Sequence, residues 1–170
     1  MTLAAIRFFI MWLAFSTLPA FIIISCNLEK SEFSKLEKYI KKVQIESRIM
    51  GELASSHILP PAIRYQNLLS DNIRGLKEAG LPESAYINQK LILESISEHI
   101  ASISDLVGKM IEARKITNSI DSTRTKAIAY QSQVKDKFFD DIRYHADKLE
   151  LLVDDREWYL PKFREMLFLR

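Results

Sequence analysis

Three histidines are the side chains of this sequence that come nearest to a metal chemistry. A helical bundle can gather histidines into a metal site, and diiron bundles do so with Glu-x-x-His motifs. No such motif occurs at His57, His99 or His145, and we expect these residues to lie on three different helices. The spacing therefore predicts no metal site. We expect His57 to lie at a helix end, where an imidazole is favoured near the backbone carbonyls.

Two acidic pairs and one serine-histidine neighbourhood could in principle support acid-base or nucleophilic catalysis. Adjacent carboxylates on a helix point to different faces, and Asp154–Asp155 should lie at a helix end, so we expect a solvated or capping role for Asp140–Asp141 and Asp154–Asp155. In Ser55–His57 the hydroxyls and the imidazole do not face each other, and no strained elbow presents a nucleophile. We predict no catalytic and no cofactor-binding residue.

The composition narrows the class of protein. A length of 170 residues suits one domain. The net charge of +2 comes from 24 basic and 22 acidic residues interleaved along the chain, so no basic surface favours nucleic acid as a partner. Cys26 is the only cysteine, which excludes an intramolecular disulfide and a cluster of cysteine metal ligands within one chain.

Helices must position these side chains, because apolar residues beyond residue 30 recur at steps of three and four. A first helix should begin at the capping box of Ser34 and end near Ile58. The Pro60–Pro61 pair should interrupt the helix there. A second helix should then begin with Pro61 near its first turn and end at Gly80.

Two longer helices should complete the fold. The pattern predicts one helix over about residues 83–117 and another that includes residues 127–152. The first of these should have an apolar seam that includes Leu91, Ile96, Ile103 and Met110. The two helices should pack antiparallel because their connection is short. A tail bearing Trp158 and a short helix from Pro161 should follow. The predicted fold class is an all-α antiparallel helical bundle over residues 31–170.

Residues 1–30 form a separate hydrophobic segment. Its apolar stretch, residues 8–26, carries no charge and is long enough to span a bilayer. Three interpretations stay open: a transmembrane anchor, a lipoprotein signal acylated at Cys26, or an artefact of a truncated gene. The lysines that follow the stretch would keep the helical domain of an anchored protein on the cytoplasmic side. Without an anchor we expect the domain to be cytoplasmic.

Two clusters of side chains could form an interface with a partner. One lies in the first turns after the double proline, and the other is the aromatic tail. Tryptophan, tyrosine and arginine concentrate binding energy at interfaces, although packing within the chain is the alternative. The candidate interface residues are Arg64, Tyr65, Trp158, Tyr159, Phe163 and Phe168.

Several segments, in this order, resemble the C-terminal helical region of type III glutamine synthetases over about residues 36–170. They are His57-Ile-Leu-Pro-Pro-Ala-Ile-Arg-Tyr-Gln-Asn67, Asn72-Ile-Arg-Gly-Leu-Lys-Glu78, Asp140-Asp-Ile-Arg-Tyr-His-Ala-Asp-Lys-Leu-Glu150 and Trp158-Tyr-Leu-Pro-Lys162. Two positions depart from the family's pattern: Tyr159 stands where proline is common, and Phe163 stands where tyrosine is common. Both departures keep an apolar anchor.

The resemblance implies a non-catalytic role for this chain. Full-length members of the family use ATP and Mg to ligate ammonia to glutamate, and their carboxylate-lined metal site lies on strands upstream of this region. None of those residues can be carried over. The resemblance therefore implies a structural or assembly role, no ligase activity and no cofactor for this chain, and a protein partner: the missing catalytic domain or a homo-oligomer. The alternative function is a membrane-tethered helical-bundle interaction module.

Overall fold

A computed structural model describes residues 31–162 and Glu165 of the chain. The described residues form five α-helices: α1 (residues 31–53), α2 (Leu59–Glu78), α3 (Ile87–Asn118), α4 (Thr123–Ala129) and α5 (Asp136–Leu152). Two π-helical segments, Ala54–Ile58 and Tyr130–Lys135, join α1 to α2 and α4 to α5, and the 3-10 turn Glu83–Ala85 precedes α3. No strand occurs among the described residues, so the all-α prediction is confirmed.

These elements form three long helical segments that alternate in direction. The first comprises residues 31–78, the second is α3, and the third comprises residues 123–152. Gln44 on the first segment donates to Asn118 at the end of α3, whereas Gln66 donates to Ser97 nearer its start, so these two segments run antiparallel. The second and third segments are also antiparallel, as predicted from their short connection. The first and third are therefore parallel.

The apolar core lies between the three segments. The seam predicted on the third helix is confirmed for its central part, where Ile96, Ile103 and Met110 are fully buried. The predicted start of the seam is wrong, because the side chain of Leu91 is 55% exposed and not buried. His99 lies opposite His145, which is only two turns before the C-terminal end of α5. The first turns of α3 therefore extend beyond the end of α5.

A small polar network joins the three helical segments. The hydroxyl of Tyr130, which has no exposed surface, donates to Asn118 Oδ1 over 2.5 Å. Gln44 Nε2 donates to the same two side chains, over 3.1 Å to the hydroxyl and 2.8 Å to Asn118. Since the three residues belong to three different helical segments, the network fixes the register between them.

Two predicted helix boundaries are wrong. Helical backbone is already present at residue 31, so Ser34 lies inside α1 and does not cap it. The Pro60–Pro61 pair does not interrupt the helix, because the π-helical segment before it widens the turn: the Leu59 N–H donates to the carbonyl of Ala54, five residues back. This wider turn accommodates proline rings that clash with carbonyls inside a regular α-helix.

The predicted end of the second helix is confirmed. Gly80 has a φ of 75° and follows the last residues of α2. The Leu81 N–H donates to the carbonyl of Leu76 over 3.2 Å, and the Gly80 N–H donates to that of Lys77 over 3.0 Å. This pair of bonds is a Schellman motif, which requires a left-handed residue and therefore favours glycine.

None of the described helices is both long enough and apolar enough to cross a membrane. The segment predicted as an anchor, residues 8–26, lies outside the described residues, as do Phe163 and Phe168. The three interpretations of the hydrophobic segment therefore stay predictions.

Candidate functional site

Of the predicted interface residues near the double proline, Arg64 contacts the tail of the same chain. The Nε of Arg64 donates to Glu157 Oε2 over 3.1 Å, and its guanidinium lies 5.0 Å from the centre of the Tyr159 ring. Trp158 is 8% exposed and belongs to the apolar core, against which Tyr65 also packs. The tail is therefore fastened to α2, while Tyr159, 71% exposed, keeps one ring face toward solvent.

A lysine that the sequence did not single out holds the other end of this tail. Lys162 Nζ donates to the carbonyls of Glu150 and Val153, over 2.8 and 3.1 Å, and lies 2.6 Å from Asp155 Oδ1. A cation beside the last carbonyls of a helix is favoured by the helix dipole. The sequence does show a lysine shortly after a helix end. Its contact with Glu150, twelve residues earlier, depends on the path of the tail, which the sequence does not show.

A groove of about 560 Å³ runs between α1 and α5, beside the first π-helical segment. Its apolar lining includes Ala54, Ile58 and Ile142, and on the α1 side Ile49 and Leu53 remain 50% and 38% exposed. Charged residues of both signs line it as well: Glu46, Lys135, Asp136, Asp140, Arg143 and Asp147. We call this feature the α1–α5 groove. Apolar residues with a charged rim suit a protein partner.

Two of the three histidines come together. His99 on α3 and His145 on α5 place their Nδ1 atoms 2.9 Å apart, with ring centroids 5.1 Å apart and ring planes tilted by 55°. The pKa of His99 is lowered, chiefly by burial and then by the charge of His145, with a further contribution from Lys148 and an opposing one from Glu98. His57 is exposed in a continuous helix, so its expected position at a helix end is wrong.

The acidic pairs and the serines do not form a catalytic arrangement. Asp140 and Asp141 are exposed on α5, and Asp154 Oδ1 accepts from the Arg156 N–H over 2.8 Å in the turn after α5. The Ser55–Ser56 pair is exposed on the π-helical segment. Within the part of the chain that the structure describes, no three histidine, cysteine or carboxylate side chains are grouped as metal ligands.

Known proteins give this geometry a context. The family model described as the glutamine synthetase C-terminal domain matches residues 21–77, which include α1 and nearly all of α2. A glutamine synthetase of Bacteroides fragilis (strain YCH46) is 42% identical over 148 residues, which are 85% of this chain and 20% of that protein. The chain is related to the glutamine synthetase C-terminal domain. The type-3 glutamine synthetase of Dictyostelium discoideum is 24% identical over 152 residues, 88% of this chain and 20% of that protein.

The resemblance to type III glutamine synthetases is thus confirmed. The chain spans about a fifth of the length of the curated relatives it matches. The match to the glutamine synthetase C-terminal domain begins at residue 21, inside the apolar stretch and before the start at residue 36 that the residues suggested. The matched region also contains Arg64, which contacts the tail, and Tyr65, which packs against the core.

Proposed function

We propose that this chain is a structural and assembly domain that docks on glutamine synthetase polypeptide and has no ligase activity by itself. The observation that carries the proposal is the similarity to the glutamine synthetase C-terminal domain, together with coverage of only a fifth of the relatives. The helical bundle formed by residues 31–162 is consistent with it, since its buried polar side chains, such as Tyr130 and Lys162, hold helices and the tail together.

The α1–α5 groove supplies the docking surface, and its occupant is the catalytic part of a glutamine synthetase. The relatives are about five times as long as the matched region, so most of their chain is available to cover this helical domain. Ile45, Ile49 and Leu53 recur every four residues and leave an apolar stripe on the exposed face of α1. Burying such a stripe against a partner contributes about 25 cal/mol per Å² of apolar surface.

Association in trans tests the docking. The Bacteroides fragilis relative would be produced without the region that aligns with this chain, and its binding to the full 170-residue chain measured by sedimentation velocity. We expect a complex that Ile49→Asp weakens at least tenfold. Ile116→Asp is the matched control, because Ile116 is 70% exposed on α3, away from the groove.

Three outcomes are informative. A complex sensitive to Ile49→Asp supports docking on the catalytic part. Self-association of the chain that Ile49→Asp abolishes would replace that occupant with a second copy of the chain. Equal effects of Ile49→Asp and Ile116→Asp, or no association at all with a folded partner, would contradict the docking proposal.

We also propose that the helical domain acts in the cytoplasm. The charge pattern supports this for an anchored chain, since the lysines after the apolar stretch favour the cytoplasmic side of a spanning segment. Protease protection of the tagged chain in intact cells tests it, because a domain on the outer side would be cleaved.

A further inference from the structure

The pair formed by His99 and His145 joins the second and third helical segments by two imidazole nitrogens. Both residues lie on regular α-helices, which restrict how far the rings can separate. Both are partly exposed, and Tyr144 packs edge-on against the His145 ring with centroids 5.2 Å apart. The two Nδ1 atoms therefore face each other at the edge of the bundle, within reach of solvent.

The short contact fixes the protonation of the pair. At a separation of 2.9 Å one Nδ1 must donate a proton and the other must accept it, so at least one ring is neutral. The lowered pKa of His99 favours its neutral form at neutral pH. A neutral imidazole has a lone pair available for a metal ion, which an imidazolium does not.

We propose that His99 and His145 bind a divalent transition-metal ion of the Ni²⁺ or Cu²⁺ type through their Nδ1 atoms. Two nitrogen ligands about 2.0–2.1 Å from one ion, at right angles to each other, lie about 2.9 Å apart. The observed Nδ1–Nδ1 separation is also 2.9 Å. The two rings therefore need only to rotate until both Nδ1 lone pairs point at the ion. Water fills the other positions.

Binding of the ion requires no other molecule to supply or accept a proton. In the hydrogen-bonded pair one ring carries its proton on Nδ1; when the ion binds, that ring takes the Nε2–H tautomer and no net proton is released from two neutral rings. Glu98 and Lys148 are the charged groups that act on His99 besides His145, and their opposite signs offset each other. Imidazole prefers these ions to Mg²⁺, which binds oxygen ligands.

Titration of the full chain, without a polyhistidine tag, with NiCl₂ at pH 7.5 tests the proposal. We expect one ion per chain and a rise in the unfolding temperature, neither of which MgCl₂ produces. His99→Gln and His145→Gln should each weaken the binding of Ni²⁺ at least tenfold. His57→Gln is the control, because His57 is the remaining histidine and is exposed on another helical segment.

An electron paramagnetic resonance spectrum of the unmodified chain with one equivalent of Cu²⁺ gives a test that needs no variant. Hyperfine structure from two nitrogen ligands is the expected result. A spectrum with one nitrogen or none, or Ni²⁺ affinity that falls with His57→Gln and not with His99→Gln, would overturn the proposal and leave the pair as a hydrogen-bonded packing contact.

Discussion

Replacing Lys162 by methionine removes the charged group that ties the tail to the end of α5 and keeps most of the apolar stem. The ammonium makes two hydrogen bonds to carbonyls, of 2.8 and 3.1 Å, and the side chain is only 11% exposed. A hydrogen bond from a charged donor contributes about 1.5–3 kcal/mol, and the cost of removing the ammonium from water offsets part of that gain. The half-exposed Asp155 adds at most about 1 kcal/mol.

We therefore expect Lys162→Met to lower the free energy of unfolding by about 2–3 kcal/mol, measured by urea denaturation followed by circular dichroism. Lys109→Met is the matched control: Lys109 also lies 2.6 Å from an aspartate, but its side chain is 63% exposed. Its loss should cost about 0.5 kcal/mol or less. If the two variants lose the same free energy, the contact of Lys162 with α5 does not stabilise the fold.

Four further substitutions test other parts of the structure. Tyr130→Phe should lower the free energy of unfolding by about 1 kcal/mol in urea denaturation, because its two amide partners can still bond to each other. His99 has a lowered pKa in the folded state, so its contribution to stability is complete above its ordinary value of 6.5 and is lost as the pH falls; in unfolding measured between pH 8 and 5.5, His99→Gln should reduce this loss. Gly80→Ala should cost about 1–2 kcal/mol in thermal unfolding because its φ is 75°, whereas Gly108→Ala, inside α3 with open space around it, should stabilise by about 0.5–1 kcal/mol.

The helices and one helix end were predictable because local rules determine them. The steps of three and four around Ile96, Ile103 and Met110 repeat within a few residues, so they predict a helix and its buried face. Gly80 is likewise recognisable because only the residues before and after it form the motif. The short connection after α3 was sufficient to predict that the third helical segment packs antiparallel to α3.

Features that depend on register or on backbone strain could not be predicted in the same way. Proline ordinarily ends a helix, and only the π-helical segment before Pro60 allows the helix to continue. The meeting of His99 with His145 depends on how α3 and α5 are aligned along their length, to within one helical turn. The contacts of Arg64 and Lys162 depend on the tail folding back over the bundle. The spacing of apolar residues contains no information on the alignment of α3 with α5 or on the path of the tail.

Glutamine formation by the purified 170-residue chain is the measurement that tests the proposed function most directly. The chain would be supplied with glutamate, ammonia, ATP and Mg²⁺, with the full-length Bacteroides fragilis relative as the positive control, and binding of ATP with Mg²⁺ followed by calorimetry in parallel. A structural domain should give no glutamine and no stoichiometric uptake of the nucleotide. Turnover, or tight one-to-one binding of ATP with Mg²⁺, would show that this chain performs chemistry itself and would contradict the proposal.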